Sequence, residues 1–379
     1  MDRVRCAVIG AGWWGTTAHV PALLRHPKCD LVAVQHRDLA TAQKTASDFG
    51  IRHAFSTAEE VLALDELDAA VVSSTPHLHY PQAKAALQRG LHVLIEKPMT
   101  LTARQAAELV EIAQAKNLQF VLSAPWHYTR YAEEAKRLVQ SGALGDVKLI
   151  NVLMADSCIG LYRGLPWQEC FGENPNAECE AQPYREPEQT SYSDPSIAGG
   201  GQVYCQVSHP AAYLSLLTDA RPREVFARFD NGDTRVDVFD AMLLTMSNGT
   251  LVTLAATGAT GLNERIMQFR LYGLEGELSL ELFTGKMRFV GADGTVRDYP
   301  DLPPEEWYPM HAPAENLVDA VLGDAPNKSP ALLGLYAMEA IDAAVESAKT
   351  GKNISVADAI KKDVTNDEGT KDQGAFQHA

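Results

Sequence analysis

The chain has 379 residues, enough for two or three domains. Hydrophobic residues make up 46% and charged residues 22%, the balance of an ordinary soluble globular protein. Lys plus Arg number 33 against 49 Asp plus Glu, a net charge of −16, which disfavours nucleic acid and anionic membrane surfaces as partners.

No apolar run approaches the length of a membrane span. The opening MDRVRCAVIGAG reads as a strand and a turn with no leader in front. Cys6, Cys29, Cys158, Cys170, Cys179 and Cys205 form no CxxC pair, so no metal site is expected, and reduced thiols fit a cytoplasmic protein.

Val4 to Ile9 is a short β-rich run. It leads into Gly10-Ala-Gly12-Trp13-Trp14-Gly15 and a helical stretch to about Leu24. A second apolar run, Leu31 to Val34, precedes a helical stretch from Ala40 to Phe49. Strand, GxGxxG, helix, strand is the context that a dinucleotide fingerprint requires. Gly10 permits the tight turn, Gly12 lets the backbone approach a pyrophosphate, and Gly15 lets helix pack on strand. The helix N-terminus then offers free N–H groups to the phosphates. Trp13 and Trp14, carried on the same loop, are expected to border the cofactor.

The second strand ends Gln35-His36-Arg37, with no carboxylate before Asp38. An acid here would bind the ribose hydroxyls of NAD and repel a 2′-phosphate; His36 and Arg37 favour NADP. The other reading keeps NAD, with Arg37 stacked on the adenine and Asp38 or the backbone on the ribose.

Ala69 to Ser73 is a third strand and runs into Ser74-Thr75-Pro76-His77-Leu78-His79. A helix from about Tyr80 to Arg89 stops at Gly90, a C-cap signal. His92 to Ile95 is a fourth strand and ends on Glu96-Lys97-Pro98. A helix from Ala103 to Lys116 and a strand from Gln119 to Ser123 follow. Strands alternating with helices predict a doubly wound parallel sheet, with Lys97 at the crevice beside the glycine loop.

Farther on come Ser141-Gly-Ala-Leu-Gly145, then Gly199-Gly-Gly201, then Ser208-His209. In this order, with the glycine loop, the residues at 75–79 and Glu-Lys-Pro at 96–98, the chain resembles the Gfo/Idh/MocA oxidoreductases. These are the relatives of glucose–fructose oxidoreductase and inositol dehydrogenase. The resemblance spans about residues 3 to 350. It implies a Rossmann half at 1–123 and an α+β half at 124–360 built on a large, mostly antiparallel sheet. Its open face is expected to make homodimers or homotetramers. It further implies a sugar, glycoside or cyclitol held between the halves against the nicotinamide. Lys97 becomes the catalytic lysine, with a bond before Pro98 that is often cis, and Glu96 contacts the cofactor side of the pocket. Ser74, Thr75 and Pro76 flank the cofactor through their backbone. His79 either borders the nicotinamide or is structural.

The second half opens with Ala124-Pro-Trp126-His127-Tyr128, read as an aromatic platform for a sugar ring or as interdomain packing. Residues 147 to 154 read as its first strand. Relatives place an acid four residues before the histidine of Ser208-His209; here Cys205 stands there. His209 is the candidate base, its ordinary pKa suiting transfer of a hydroxyl proton. Asp194 is a candidate for the missing acid.

Residues 156 to 196 carry Tyr162, Arg163, Trp167, Tyr184, Arg185 and Tyr192 with little periodicity. They read as a lid over a polyhydroxyl ligand, with Tyr162 and Arg163 on the substrate, or as an arm to another subunit. Runs at 224–229, 236–246, 251–257, 266–272, 276–282 and 286–290 read as strands separated by turn signals. Asp237, Asp240 and His311 are lesser candidates for the site. Helices are expected over Ala314–Leu322 and Leu332–Lys349, the second packing back on the first half. The tail from Lys361 is polar and lacks a core pattern.

These features point to an NAD(P)-dependent oxidoreductase. Two rivals remain: a glycosidase that oxidises its sugar transiently with a resident NAD, and a dinucleotide-binding sensor without catalysis.

Overall fold

The structure, a computed structural model, describes residues 2–171 and 183–359. Cys179 and the polar tail from Lys361 lie outside the described residues.

Six strands form the first sheet: β1 (Val4–Ile9), β2 (Cys29–Gln35), β3 (His53–Phe55), β4 (Ala69–Val72), β5 (His92–Ile95) and β6 (Phe120–Leu122). Their order is β3-β2-β1-β4-β5-β6 and every pairing is parallel. The order reverses between β1 and β4, which opens a crevice at their carboxyl ends. Parallel strands need cover on both faces. Ala83 and Leu87 of helix Pro76–Arg89, with Ala106 and Leu109 of helix Ala103–Ala115, pack on Ala7, Ile9, Val72 and Val93. On the other face, Leu23 and Ala46 are joined by Leu317 and Val318 of helix Ala312–Leu322. A helix from the far end of the chain thus completes the first core.

The second sheet has nine strands. They are β7 (Val147–Ala155), β8 (Pro222–Asp230), β9 (Phe239–Met246), β10 (Leu251–Thr257), β11 (Ile266–Gly273), β12 (Gly276–Glu281), β13 (Lys286–Gly291), β14 (Val296–Asp298) and β15 (Ile354–Ser355). The order is β14-β13-β12-β11-β7-β10-β9-β8-β15, antiparallel except for β7 beside β10. The fold is therefore a Rossmann-type α/β half, as the alternating strands and helices predict, followed by an α+β half on a large, mostly antiparallel sheet, as the resemblance implies.

Burial alternates along β9 and β10, as period-2 geometry requires of a sheet covered on one side. Helices Ser208–Thr218 and Ala331–Thr350 cover the inner face. Helix Ala331–Thr350 also packs on helix Ala103–Ala115 and β6, so it ties the two sheets together. No helix of the described residues is long and apolar enough to cross a membrane. Among them, no group of three or more His, Cys, Asp or Glu is placed to hold a metal ion.

Two departures bear on the site. The stretch after Gly15 is a π-helix, Gly15–His19, before an α-helix at Val20–Arg25. Pro21 has no N–H for the α-helical ladder, and the Thr16 and Thr17 hydroxyls donate to the Gly12 and Trp13 carbonyls. The irregular run 156–196 holds four short helices among its described residues, at Ile159–Tyr162, Trp167–Phe171, Thr190–Ser193 and Pro195–Ala198.

Candidate active site

A cavity of about 690 Å³ runs from the ends of β1 and β2 to the seam between the two sheets. Gly10, Gly12, Trp13, Trp14, His36, Arg37, Ser74, Thr75, Pro76, His79, Glu96, Lys97, Trp126, Cys205 and His209 all line it. Residues 10 and 209 are thus brought to one space by the fold.

The glycine loop has the geometry of a cradle. Gly10 has φ +93°, and a Cβ there would stand 2.3 Å from the Ser74 amide nitrogen. A Cβ on Gly15 would stand 2.5 Å from the Gly10 carbonyl oxygen, so Gly15 lies behind the loop. A Cβ on Gly12 would meet nothing within 4 Å, because Gly12 borders the open cavity. Gln35 anchors the loop: its Oε1 accepts from Gly10 N at 3.0 Å and its Nε2 donates to the Ser56 carbonyl. These residues fit a dinucleotide, whose pyrophosphate needs bare backbone at Gly12.

Just past the same end of β2, Asp38 is turned into the helix Leu39–Phe49, where its carboxylate caps Thr41 N at 3.0 Å. Hydrogen bonds from Thr41 hold it below the usual carboxylate range. The His36 ring accepts from Asp38 N, and burial lowers its pKa, with Arg185 and Arg37 adding to the effect. Arg37 is exposed and pairs with Glu188 at 2.5 Å.

Lys97 sits where β5 runs out, with a cis bond to Pro98. Its backbone N–H donates to Glu96 Oε2 at 3.1 Å, and its ammonium donates to the Cys205 carbonyl at 3.1 Å. The ammonium therefore links the end of β5 to the short helix Gln202–Cys205 at the cavity wall. His79 is buried, with one ring nitrogen 2.8 Å from the Pro98 carbonyl and the other 2.9 Å from the Ser74 carbonyl. That placement makes it a tie between two cofactor-side turns.

His209 is 5% exposed and packs edge-on against Trp126 at 4.9 Å. Burial holds its pKa well below the ordinary imidazole value, with Lys97 and His127 pushing the same way. The imidazole is neutral at neutral pH and able to accept a proton. Cys205 is a thiol there, pushed up to about 12 by burial.

Eight candidate side chains, those of Asp237 and Asp240 among them, do not line the cavity. His127 is buried against Tyr213 and Ser329, and burial lowers its pKa to about 3. Tyr128 donates to Asn316 Oδ1, so only Trp126 of the aromatic trio faces the cavity. A 3-10 turn over Pro125–Tyr128 points successive side chains in different directions, which explains the split. Tyr162 is 1% exposed, with its hydroxyl on Gln202. Arg163 pairs at the surface with Asp233, 3.0 Å away. Asp194 caps the turn at Ser196 and faces Arg235, so it supplies no carboxylate to His209. His311 binds the Ala18 carbonyl and does not line the cavity.

Asp237 accepts from Gly201 N and Val203 N beneath the glycines. Asp240 beside it is buried and pushed up to about 9, first by burial and then by Asp237.

Asp156, Arg265, Phe283 and Tyr308 also line the cavity and were not singled out from the sequence. Asp156 pairs with Arg265 at 2.6 Å on the wall, and Arg265 lies over the Phe283 ring. Trp13 meets Trp167 at 4.9 Å, and Trp126 meets Tyr308 at 4.6 Å, so aromatic rings from four segments wall the cavity. His19 is fully buried with Nε2 2.8 Å from Glu96 Oε1. Its position four residues past Gly15 was visible, but its partner 77 residues away was not.

Comparison with known proteins agrees with this architecture. Residues 4–123 match the Gfo/Idh/MocA oxidoreductase family, NAD-binding Rossmann fold, and residues 170–279 match the Gfo/Idh/MocA C-terminal domain. The chain is 33% identical over 211 residues to an uncharacterized oxidoreductase of Synechocystis sp., covering 56% of this chain and 50% of that protein. It is 34% identical over 150 residues to the dTDP-3,4-didehydro-2,6-dideoxy-alpha-D-glucose 3-reductase of Streptomyces antibioticus, covering 39% of this chain and 45% of the reductase. The chain thus spans about half the length of these curated relatives. The crystal structure of an oxidoreductase domain protein from Kribbella flavida superposes with a TM-score of 0.78 at 18% identity, covering 94% of this chain and 100% of that one.

Proposed function

The chain belongs to the Gfo/Idh/MocA oxidoreductase family, and from that membership we propose that it transfers a hydride between NAD(P) and a secondary alcohol of a sugar, glycoside or cyclitol. The observation that carries this is the single cavity holding the glycine cradle, Lys97 and His209 together. Residues 1–123 form the dinucleotide unit and 124–360 the substrate and assembly unit. The name of the Streptomyces antibioticus reductase, whose substrate is a sugar nucleotide, supports the sugar class.

The nicotinamide, when bound, supplies the hydride acceptor. The neutral His209 imidazole takes the hydroxyl proton. The Lys97 ammonium lies beside the oxygen and stabilises the charge that develops there, in a cavity lined by Trp126 and other aromatic rings. The test is to load the purified protein with NAD and, separately, NADP, and to follow nicotinamide absorbance with sugars, glycosides and cyclitols. A rise with one class supports the reading. Glycoside cleavage without net cofactor change replaces it by the transient-oxidation hydrolase. Nucleotide binding with no chemistry replaces it by the sensor.

A base held neutral by burial has a consequence. The acid limb of kcat/KM in the oxidation direction is expected below pH 6.5, the ordinary imidazole value. Cys205→Asp places a carboxylate where relatives have one, raises the imidazole pKa, and moves the acid limb upward by about one pH unit. An unmoved limb removes His209 from the role of base.

The outer face of the second sheet exposes Phe239, Leu243 and Leu251 by 45%, 54% and 55%. Together with Leu149 and Leu153 they form an apolar face of the kind that interfaces cover. The assembly proposed is a homodimer or homotetramer through this face. Light scattering is expected to give that mass for the protein and a monomer for Leu243→Glu with Leu251→Glu. A monomeric parent protein defeats the assignment.

A further inference from the structure

We infer that Arg185, with Arg37 and His36, forms an anion subsite for the 2′-phosphate of NADP(H), so that a residue from the second half of the chain sets cofactor preference. The inference rests on the dinucleotide reading of the cavity proposed above. It goes beyond the strand-end residues, because Arg185 lies 148 positions after Arg37 and only the fold brings them together.

The groups that would serve the ribose hydroxyls of NAD are absent or committed. The strand-end position is His36. Asp38 is spent on the helix cap at Thr41. The Gln35 amide is spent on Gly10 and Ser56. No carboxylate of the first half therefore faces the ribose position unengaged among these residues.

The segment carrying Arg185 lies across helix Leu39–Phe49. The Tyr184 ring meets Phe49 at 5.1 Å, and its hydroxyl donates to Asp48 at 2.5 Å. Arg185 is thereby set at the adenosine end of the cavity, with its Nη2 3.4 Å from Thr45 Oγ1. That contact is at the long limit of a hydrogen bond. Among the described residues, its buried Nε has no partner. A buried guanidinium nitrogen without an acceptor is costly unless a ligand supplies one. Two guanidiniums, an imidazole and Thr41 thus border one end of the cavity. Guanidinium forks match phosphate oxygens in geometry and charge.

Glu186 and Glu188 border the same end. Glu188 holds Arg37, but both side chains are largely exposed, at 48% and 75%, and such pairs are weak. Glu188 is a competing anion that a phosphate dianion displaces.

The test is the affinity of the full chain for NADPH and NADH, read by calorimetry without substrate. Tighter binding of NADPH than NADH by about tenfold or more is expected, with the advantage shrinking as salt rises. Arg185→Ala is expected to weaken NADPH by about tenfold and NADH by less than about twofold, at unchanged melting temperature. Arg185→Lys, which keeps charge but loses the fork, falls between. Glu188→Gln frees Arg37 and tightens NADPH. Equal affinities in the parent protein, or equal losses in Arg185→Ala, overturn the inference alone. Failure of both nucleotides to bind overturns the dinucleotide reading, and the inference with it.

Discussion

Lys97→Ala is expected to lower the rate of hydride transfer by about two to three orders of magnitude, the scale seen when one preorganised donor is removed from a developing oxyanion. The reason lies in what the ammonium touches. It crosses from the end of β5 to the Cys205 carbonyl at 3.1 Å, beside His209 on the same wall. Substrate oxygen placed between these groups meets a fixed positive charge and a neutral base. The loss falls on the chemical step, because the dinucleotide cradle is built from Gly10, Gly12 and Gln35, none of which uses Lys97. Calorimetric affinity for the nucleotide and the melting temperature are therefore expected to stay near the parent values while kcat collapses. Lys97→Arg is not expected to restore the rate, since a planar fork does not occupy the position of a compact ammonium. If binding and stability fall in step with kcat, Lys97 is a structural residue.

The largest effect on stability is expected from His19→Leu. Glu96 is 6% exposed and His19 is fully buried, and the two meet at 2.8 Å. Burial pushes the Glu96 carboxyl up, but the His19 contact, Ser123 and Lys97 more than offset this, and the net shift is downward. A leucine leaves a buried carboxylate without its main partner, a loss of about 3 kcal/mol or more. The urea midpoint should fall accordingly, and His19→Gln, which keeps a donor, should recover much of it. The sign with pH follows from the depressed carboxyl. Its contribution is present above the unfolded carboxyl pKa and is lost as pH falls through the folded value. The difference between parent and His19→Leu should therefore narrow in acid. An unchanged midpoint at neutral pH would falsify the pairing. The same change is expected to slow catalysis modestly, because Glu96 Oε2 fixes the Lys97 backbone at 3.1 Å.

Some of this was legible from local pattern. Gly10, Gly12 and Gly15 announce a cradle because each requirement is a backbone requirement met within six residues. The strands of the first sheet are short apolar runs between turn signals, and only their ends shift in the structure; Ala69 to Ser73 becomes Ala69–Val72. Short edge strands such as β3 and β15 went unseen, because two or three residues carry no period. His209 and Lys97 were found by motif order, yet their arrival at one cavity, with Lys97 on the Cys205 carbonyl, needed the fold.

Where side chains point was settled only in three dimensions. Trp126, His127 and Tyr128 are consecutive, and one faces the cavity while two are buried elsewhere, because a tight turn rotates each residue away from the last. Tyr162 and Arg163 read as ligand-facing and Asp194 as the missing acid, but each found a partner within the protein: Gln202, Asp233 and Ser196. The sequence by itself determined the doubly wound first sheet, the glycine cradle and the lysine at the end of β5, since these depend on backbone needs and hydrophobic period over a few neighbouring residues, while the large second sheet came from the resemblance to a known family. The tertiary structure alone decided that His19 meets Glu96, that Arg185 lines the same end of the cavity as His36 and Arg37, and that His209 is kept neutral by burial without a carboxylate. Those outcomes depend on contacts between residues 77 or more positions apart and on desolvation, and neither leaves a local trace in the chain.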